Sequence, residues 1–378
     1  MNDIVNLGPL QPYIDDEEIS EIMVNSYDAV FVERKGVLYE EEGVFNSPDE
    51  LWDVVERVKV IAAEQGRMLD DRNPMVDIRL HHRPGEALGS RMNIVIPPIV
   101  PFGPALTIRK FTFYQLTEED IVRFGSLDED MLHFLRACVI GRLNMAIAGG
   151  TGSGKTTVLN ILTGMIPAAE RIITVENAME IRPPSHLKHV IRMESRPPDL
   201  EGQGEVTIQD LVINAMRMRP DRLITGEVRA SEVLEILQAI NTGHDGTMFS
   251  LHASSPRDVL TRLETMASMH SVVLPLLNIR QMIADAVDVI TFQERMADGK
   301  RKLVKIAEVV GMQGDSIVLQ DLFEFRQTGV DADGFIEGYF TATGHVPTFM
   351  ERLRSSHIKA ALQREGIDLS LNLFTPKE

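Results

Sequence analysis

Residues 149–156 of this chain read Gly-Gly-Thr-Gly-Ser-Gly-Lys-Thr, and no other segment restricts the possible folds as strongly. The run matches the phosphate-loop pattern of a glycine, four residues, a second glycine, a lysine and a serine or threonine. An apolar segment, residues 145–148, leads into it, and residues 157–165 leave it with helical character. The loop is therefore predicted to connect a strand to a helix N-terminus, where free N–H groups and the helix dipole attract anions.

The phosphate-binding residues are predicted to be those of the loop and the first helical turn: Gly150, Thr151, Gly152, Ser153, Gly154, Lys155, Thr156 and Thr157. Glycines are needed because the backbone must approach the phosphates in torsions that a Cβ would obstruct. Lys155 is expected to reach the β- and γ-phosphates, and the Thr156 hydroxyl to hold Mg²⁺. A glycine-rich turn without a ligand is the alternative, and the agreement of strand, loop and helix argues against it.

The patterns on either side of residues 113–130 differ, which predicts two domains. Residues 1–112 combine short strand patterns with a capped helix, as in a small mixed α/β domain. Residues 113–130 are polar and lack a sustained period, so they are predicted to be a linker. In residues 131–378 apolar strands alternate with helices, and two β segments and a helix follow at the end. That alternation is typical of a mostly parallel sheet covered on both faces.

Local patterns predict the elements of the first domain. Residues 17–23 look helical, and residues 29–39 alternate around Gly36 as in a hairpin. Ser47 caps a helix that runs to Gly66. Three strand-like segments follow, at residues 75–80, 91–96 and 105–109.

Polar groups at the ends of three apolar strands are the candidate catalytic residues. Glu176 ends one strand and Glu227 ends another, and His252 follows a third. Ligands of such sheets bind at the C-terminal ends of the strands, and hydrolysis requires carboxylates beside the metal and the attacking water. Either glutamate could instead end its strand in solvent, but two of them with a phosphate loop favour function. A histidine near pH 7 can donate to a γ-phosphate, although a structural role for His252 stays equally open.

Arginines on the strands of the first domain allow two interpretations. Arg79, Arg91 and Arg109 would by default be solvated surface residues. Phosphoryl transfer nevertheless gains from guanidinium groups that a second domain brings to the γ-phosphate. The residues alone leave both interpretations open.

Composition restricts the partners and the location. The 38 Lys and Arg residues against 56 Asp and Glu residues give a formal net charge of −18, which disfavours direct binding of nucleic acid or anionic lipid. The single cysteine, Cys138, excludes an intrachain disulfide and a four-thiolate zinc site. No segment approaches the ~20 apolar residues of a membrane span, and the N-terminus lacks a signal-peptide pattern. A cytoplasmic protein is expected, with any membrane association made through partners.

With these residues in view, the chain resembles the type II/IV secretion-system ATPases and, within them, the CpaF-like motor ATPases of tight-adherence (Flp) pilus assembly. The resemblance covers roughly residues 10–355 and rests on an ordered set of strings. Besides the phosphate loop, they are Ser90-Arg91-Met92-Asn93, Ala105-Leu106-Thr107-Ile108-Arg109-Lys110-Phe111, Arg219-Pro220-Asp221-Arg222-Leu223-Ile224-Thr225-Gly226-Glu227-Val228-Arg229, and Thr242-Gly243-His244-Asp245-Gly246.

The resemblance implies a PAS-like N-terminal α/β domain, a linker and a RecA-like ATPase domain, assembled as a homohexamer. It implies ATP with Mg²⁺ as cofactors, and an inner-membrane platform protein of a pilus or secretion system as partner, at the cytoplasmic face of that membrane. By position, Glu227 would activate the hydrolytic water, Glu176 would lie near Mg²⁺ and His252 would belong to the histidine box. Arg91 and Arg109 would reach the nucleotide phosphates.

Two departures from the family pattern bear on these expectations. Glu176 is followed by Asn177, where the acidic box usually has an aspartate, so one carboxylate near the metal is missing. A paired-cysteine zinc element, frequent in other branches, is absent, which favours the tight-adherence or conjugation-like branch. Two other functions stay open at this point: a RecA-like nucleic-acid translocase, which the negative charge disfavours, and a nucleotide-dependent scaffold that does not hydrolyse ATP.

Overall fold

The computed structural model describes residues 6–34, 37–81, 89–110, 116–199, 201–364, 366–367 and 369–377. Gly36 of the predicted hairpin, Phe111 of the family string and residues 113–115 of the predicted linker lie outside these ranges. The chain forms two compact units. The N-terminal unit comprises Met1–Gln115 with Pro197–Glu205, and the C-terminal unit comprises Leu116–Arg196 with Val206–Glu378.

The N-terminal unit contains one antiparallel sheet and a long helix. The strands pair in the order β3-β2-β1-β6-β5-β4. Helix α2 carries its Ser47 cap, whose side chain accepts from the Glu50 N–H, and its apolar face is buried. The elements are α1 (Gln11–Asp15), β1 (Ile19–Ser26), β2 (Ala29–Arg34), β3 (Val37–Glu41), α2 (Pro48–Glu64), β4 (Met75–Leu80), β5 (Ser90–Val95) and β6 (Ala105–Arg109).

The prediction of a helix over residues 17–23 was wrong, because this segment begins strand β1. Ile19 and Ile22 are both fully buried, and their spacing of three resembles one face of a helix. In the structure this spacing arises from a register shift between Ile19 and Glu21, where β1 pairs with β2. An extra residue at such a bulge resets the alternation, so a strand can imitate a helical period over one turn.

The C-terminal unit contains a nine-stranded sheet, in the order β15-β14-β13-β12-β7-β11-β10-β8-β9. The six strands from β12 to β9 in that order are parallel, and β13 to β15 add an antiparallel meander. The strands are β7 (Met145–Gly149), β8 (Ile172–Glu176), β9 (Val190–Glu194), β10 (Arg222–Glu227), β11 (Met248–His252), β12 (Val289–Arg295), β13 (Arg301–Gln313), β14 (Ser316–Val330) and β15 (Ile336–Ala342).

Helices cover both faces of this sheet. Along β7, Met145 and Ile147 belong to one apolar core and Ala146 and Ala148 to another, as expected for a strand that is buried on both sides. The helices are α3 (Glu118–Arg123), α4 (Glu129–Ile140), α5 (Lys155–Gly164), α6 (Ile208–Ala215), α7 (Val233–Asn241), α8 (Pro256–Ser268), α9 (Leu276–Ala286), α10 (Met350–Leu353) and α11 (Ser356–Arg364). No helix in the described ranges is long and apolar enough to cross a membrane.

Within residues 113–130, predicted to be a linker, the structure contains helix α3 and the start of α4. Thr117 and Asp120 form a reciprocal capping box, and Ile121 is buried in a core of the C-terminal unit. The six residues of α3 are too few for a helical period to be visible in the sequence, so the pattern of its polar cap resembles that of irregular chain.

The terminal segments are part of the core of the C-terminal unit, and a substitution of Phe134 tests this packing. Its ring lies 5.2 Å from that of Phe323 and 5.8 Å from that of Phe374. We expect Phe134→Ala to lower the free energy of unfolding by about 3–5 kcal/mol, because it leaves a cavity between α4 and the terminal segments. Phe124→Ala, which truncates a half-exposed ring, should cost much less in the same denaturant titration. Equal losses would contradict this packing.

Candidate nucleotide site

The phosphate loop joins the buried strand β7 to helix α5, and a side chain would be strained at two of its glycines. A Cβ on Gly149 would lie 2.3 Å from the Gln293 carbonyl oxygen and 2.5 Å from Ser153 Oγ. Gly154, the N-cap of α5, has a left-handed φ of +96°. The loop therefore needs both the absence of a side chain and the backbone freedom of glycine. This is the strand, loop and helix order that the sequence predicts.

Lys155 lies at the centre of the loop and is almost fully buried, with 8% of its surface exposed. Its Nζ donates to the carbonyl oxygens of Gly150 at 2.8 Å and Gly149 at 3.2 Å. The same atom lies 3.4 Å from His252 Nδ1. The ammonium charge is thus held over the N-terminus of α5, where an anionic ligand would be most stabilised.

The strand order brings His252 between Lys155 and Glu227. Strand β11 lies between β7 and β10, and its last residue, His252, is in register with Gly149. Glu227 ends β10, and its Oε1 lies 2.8 Å from His252 Nε2. The predicted lysine, histidine and glutamate therefore form one continuous line of polar groups.

The charges along this line favour an ionised Glu227 and a neutral His252. Burial acts to raise the pKa of Glu227, but the hydrogen bond and charge of Arg229, together with the charge of Lys155, lower that pKa overall. Burial and the Lys155 charge lower the pKa of His252. A neutral imidazole that accepts from Lys155 at Nδ1 carries its proton on Nε2, facing the Glu227 carboxylate.

Glu176 is bound to the backbone, and a different carboxylate contacts Thr156. Glu176 Oε2 accepts the N–H groups of Glu180 at 2.7 Å and Ile181 at 2.8 Å. The Thr156 hydroxyl donates to Glu180 Oε2 at 3.3 Å. Glu176 thus positions the segment that presents Glu180 to the loop. The expectation that Glu176 itself lies near Mg²⁺ stays a prediction.

Arg91 and Arg109 belong to the N-terminal unit, whereas the residues described above belong to the C-terminal unit. They are directly opposite each other on β5 and β6, and Arg79 on β4 is opposite Arg91. Arg91 Nη2 lies 3.6 Å from Asp77 Oδ1. The structure thus places the three arginines in one row across the sheet, and their role at a nucleotide stays a prediction.

Three residues near the loop were not assigned a role from the sequence. Arg229 Nη2 donates to Glu227 Oε2 at 2.5 Å, and Arg301 Nε donates to the Gly152 carbonyl oxygen at 2.8 Å. Glu180 contacts Thr156, as described above. Among the three, only Arg229 has a sequence signal that could have indicated its contact, because it stands two residues after Glu227. The other two contacts depend on chain segments that are far apart in sequence.

Together, the phosphate loop on β7, the carboxylate at the end of β10 and the strand between them define a P-loop nucleotide-binding protein with a RecA-like domain. The family profile described as type II/IV secretion system protein matches residues 3–321. A putative conjugal transfer protein of Mycobacterium tuberculosis is 31% identical over 340 residues, covering 86% of this chain and 95% of that protein. VirB11 of Agrobacterium fabrum is 31% identical over 314 residues, covering 75% and 87%.

This chain belongs to the type II/IV secretion ATPase family. Its fold is shared with the crystal structure of the pilus retraction motor PilT with bound ADP, at a TM-score of 0.55. That similarity covers 98% of this chain and 92% of the PilT chain at 16% sequence identity, so it concerns the fold alone.

The buried Glu176 generates a prediction about stability. Burial, offset in part by the N–H groups of Glu180 and Ile181, raises its pKa from 4.5 to about 7. Between those values the folded protein keeps a proton that the unfolded chain releases, so stability falls as the pH rises through this window. We expect the wild type to lose about 3 kcal/mol relative to Glu176→Gln between pH 4.5 and 8, measured by denaturant unfolding. Glu351→Gln, at an exposed site, should follow the wild type. If the free energy of unfolding varied with pH in the same way for the wild type and Glu176→Gln, the raised pKa assigned to Glu176 would be contradicted.

Proposed function

We propose that this protein hydrolyses ATP to ADP and phosphate and works as a homohexameric motor of a pilus-assembly or protein-secretion system. The proposal is carried by the line from Lys155 through His252 to Glu227, in which an ionised carboxylate stands one imidazole away from the phosphate lysine. A protein that only bound nucleotide would need the lysine and the loop, but not a carboxylate whose pKa is held low beside them.

The loop and α5 bind the phosphates in this mechanism. Backbone N–H groups of residues 150–157 surround the phosphate oxygens, and Lys155 moves from the loop carbonyls to the β- and γ-phosphates. The Thr156 hydroxyl and the nearby Glu180 carboxylate are hard oxygen donors of the kind that Mg²⁺ prefers, and such sites take their other ligands from phosphates and water. Bound Mg²⁺ would supply charge neutralisation on the phosphate oxygens.

Glu227 is the proposed general base. Its carboxylate is ionised near neutral pH, so it can accept a proton from the water that attacks the γ-phosphorus. The bond from that phosphorus to the bridging oxygen breaks, and ADP leaves with the bonding electron pair. His252, neutral and with Nε2 2.8 Å from Glu227 Oε1, lies between the carboxylate and Lys155, close enough to respond to the phosphates.

Arg91 and Arg109 are proposed to contact the phosphates, in the same subunit or from a neighbouring one. The row Arg79, Arg91 and Arg109 places three guanidinium groups side by side on the sheet, next to the carboxylates of Asp77 and Glu21. Guanidinium groups bind phosphate oxygens in pairs of parallel hydrogen bonds. Motion of the unit that carries them would then be coupled to hydrolysis.

The partner system is proposed from the family. The motif strings of the sequence support a CpaF-like motor of tight-adherence (Flp) pili, and one of the relatives named above is a putative conjugal transfer protein. The proposed partner is an inner-membrane platform protein, which would hold the ring at the cytoplasmic face of the membrane.

Lys155→Ala and Glu227→Gln separate binding from hydrolysis. We expect Lys155→Ala to lose both, and Glu227→Gln to bind ATP normally while turnover falls roughly a hundredfold or more, because only the transition state needs the base. Phosphate release and calorimetric ATP titration measure the two effects. Glu351→Gln is the control for loss of one negative charge. Wild-type turnover in Glu227→Gln would refute the proposed base.

Arg91→Ala and Arg109→Ala test the contribution of the N-terminal unit. We expect each to lower kcat by roughly tenfold or more, because a guanidinium is lost from the transition-state phosphate. Arg72→Ala, which removes an exposed arginine of the same unit, should leave kcat unchanged. Light scattering with a non-hydrolysable ATP analogue should give a hexamer for all of these variants. Full activity in both arginine variants would contradict the role proposed for them.

A further inference from the structure

A rigid hairpin between β12 and β13 stands beside the phosphate loop. In its turn, the Met296 N–H donates to the Lys300 carbonyl oxygen at 2.7 Å, and the Gly299 N–H to that of Met296 at 2.9 Å. Asp298 accepts the Lys300 N–H at 3.0 Å and the Ile336 N–H at 2.9 Å, which ties the turn to the start of β15. Hydrogen bonds of the backbone and of the Asp298 side chain therefore fix its position within the unit.

The sheet register sets the distance between hairpin and loop. Gln293 of β12 is in register with Gly149, the last residue of β7, and β12 continues to Arg295. The hairpin therefore extends past the point where β7 turns into the phosphate loop. The close approach of the Gln293 carbonyl oxygen to Gly149, described above, is part of the same contact.

Two arginines at the base of the hairpin face the loop. Arg301 Nε donates to the Gly152 carbonyl oxygen, and Arg301 Cδ lies 3.4 Å from where a Cβ on Gly154 would stand. Arg295 Nη1 lies 4.0 Å from the corresponding position on Gly152. The two arginines are also directly opposite each other across the hairpin, a pairing that like charges disfavour. In a chain of net charge −18, this local concentration of positive charge lies beside the phosphate loop.

The Arg301 contact determines the direction of one loop N–H. The peptide between Gly152 and Ser153 is planar and trans, so its N–H points opposite to its carbonyl oxygen. Because Arg301 holds that oxygen on the hairpin side, the Ser153 N–H is directed away from the hairpin. The guanidinium is a charged donor, which strengthens this hydrogen bond relative to a neutral one.

We propose that Arg301 is a positioning residue for the nucleotide: through the Gly152 carbonyl it orients the Ser153 N–H toward the phosphates, while Arg295 adds positive charge beside the loop. This inference rests on the proposed function, since it assigns the hairpin to the same ATP site. It gives the antiparallel meander of the C-terminal unit a part in phosphate binding, through the backbone of the loop.

Calorimetric titration of the full chain with ADP and with a non-hydrolysable ATP analogue tests this, at 0.1 M and 0.5 M salt. We expect Arg301→Ala and Arg301→Gln to raise Kd for both nucleotides about tenfold, or about 1.4 kcal/mol, at both salt concentrations. Arg301→Lys keeps the charge but not the Nε donor, so it should bind weakly at 0.5 M salt. Arg295→Gln acts through charge and should weaken binding at 0.1 M salt only.

In a turnover assay the Arg301 variants should raise KM and leave kcat within about threefold, because the orientation acts equally on substrate and transition state.

Arg326→Ala is the matched control, because it removes an exposed arginine from β14, away from the hairpin turn. Circular dichroism and the unfolding midpoint confirm that each variant is folded. If Arg301→Ala does not fold, Arg301→Lys takes its place as the test variant. Wild-type Kd in the Arg301 variants, or complete rescue by lysine at high salt, would overturn the proposal and leave the proposed function intact. A wild-type chain that binds neither nucleotide would overturn both.

Discussion

The nucleotide site depends on one strand order, in which β11 lies between β7 and β10. Lys155 follows β7 and Glu227 ends β10, so adjacent strands would have put the two side chains in direct contact as an ion pair. The inserted strand separates them by one imidazole, that of His252. A carboxylate at this distance can remain ionised and still act on a water beside the phosphate, because it does not neutralise the lysine that binds that phosphate.

Two carboxylates of the same sheet edge have opposite properties, although they come from neighbouring parallel strands. Glu176 is buried and bound to two backbone N–H groups, and its pKa is raised to about 7. Glu227 is held ionised by Arg229, against the effect of its partial burial. Such a separation of pKa values in one site is how enzymes assign different roles to chemically identical groups. Here one glutamate supports the backbone that presents Glu180, and the other faces the polar line to Lys155.

The antiparallel meander β13–β15 and the terminal helices make the C-terminal unit a single folded body. Phe323 and Phe374 from these segments pack on Phe134 of α4, so the core does not end with the parallel strands. The same meander fixes the hairpin that carries Arg301 to the loop. The packing of this unit and the phosphate binding proposed for it therefore depend on one set of hydrogen bonds and apolar contacts.

The sequence by itself determined the phosphate loop, the alternation of strands and helices around it, and the carboxylates at the strand ends. Those features depend on local pattern, since the loop needs glycines at fixed spacing and parallel strands need continuous apolar runs. Only the tertiary structure decided that His252 stands between Lys155 and Glu227, that Glu180 contacts Thr156, and that Arg301 bonds to Gly152. The order of strands in a sheet and the register of a bulged strand such as β1 are set by contacts between distant segments, and no local period records them.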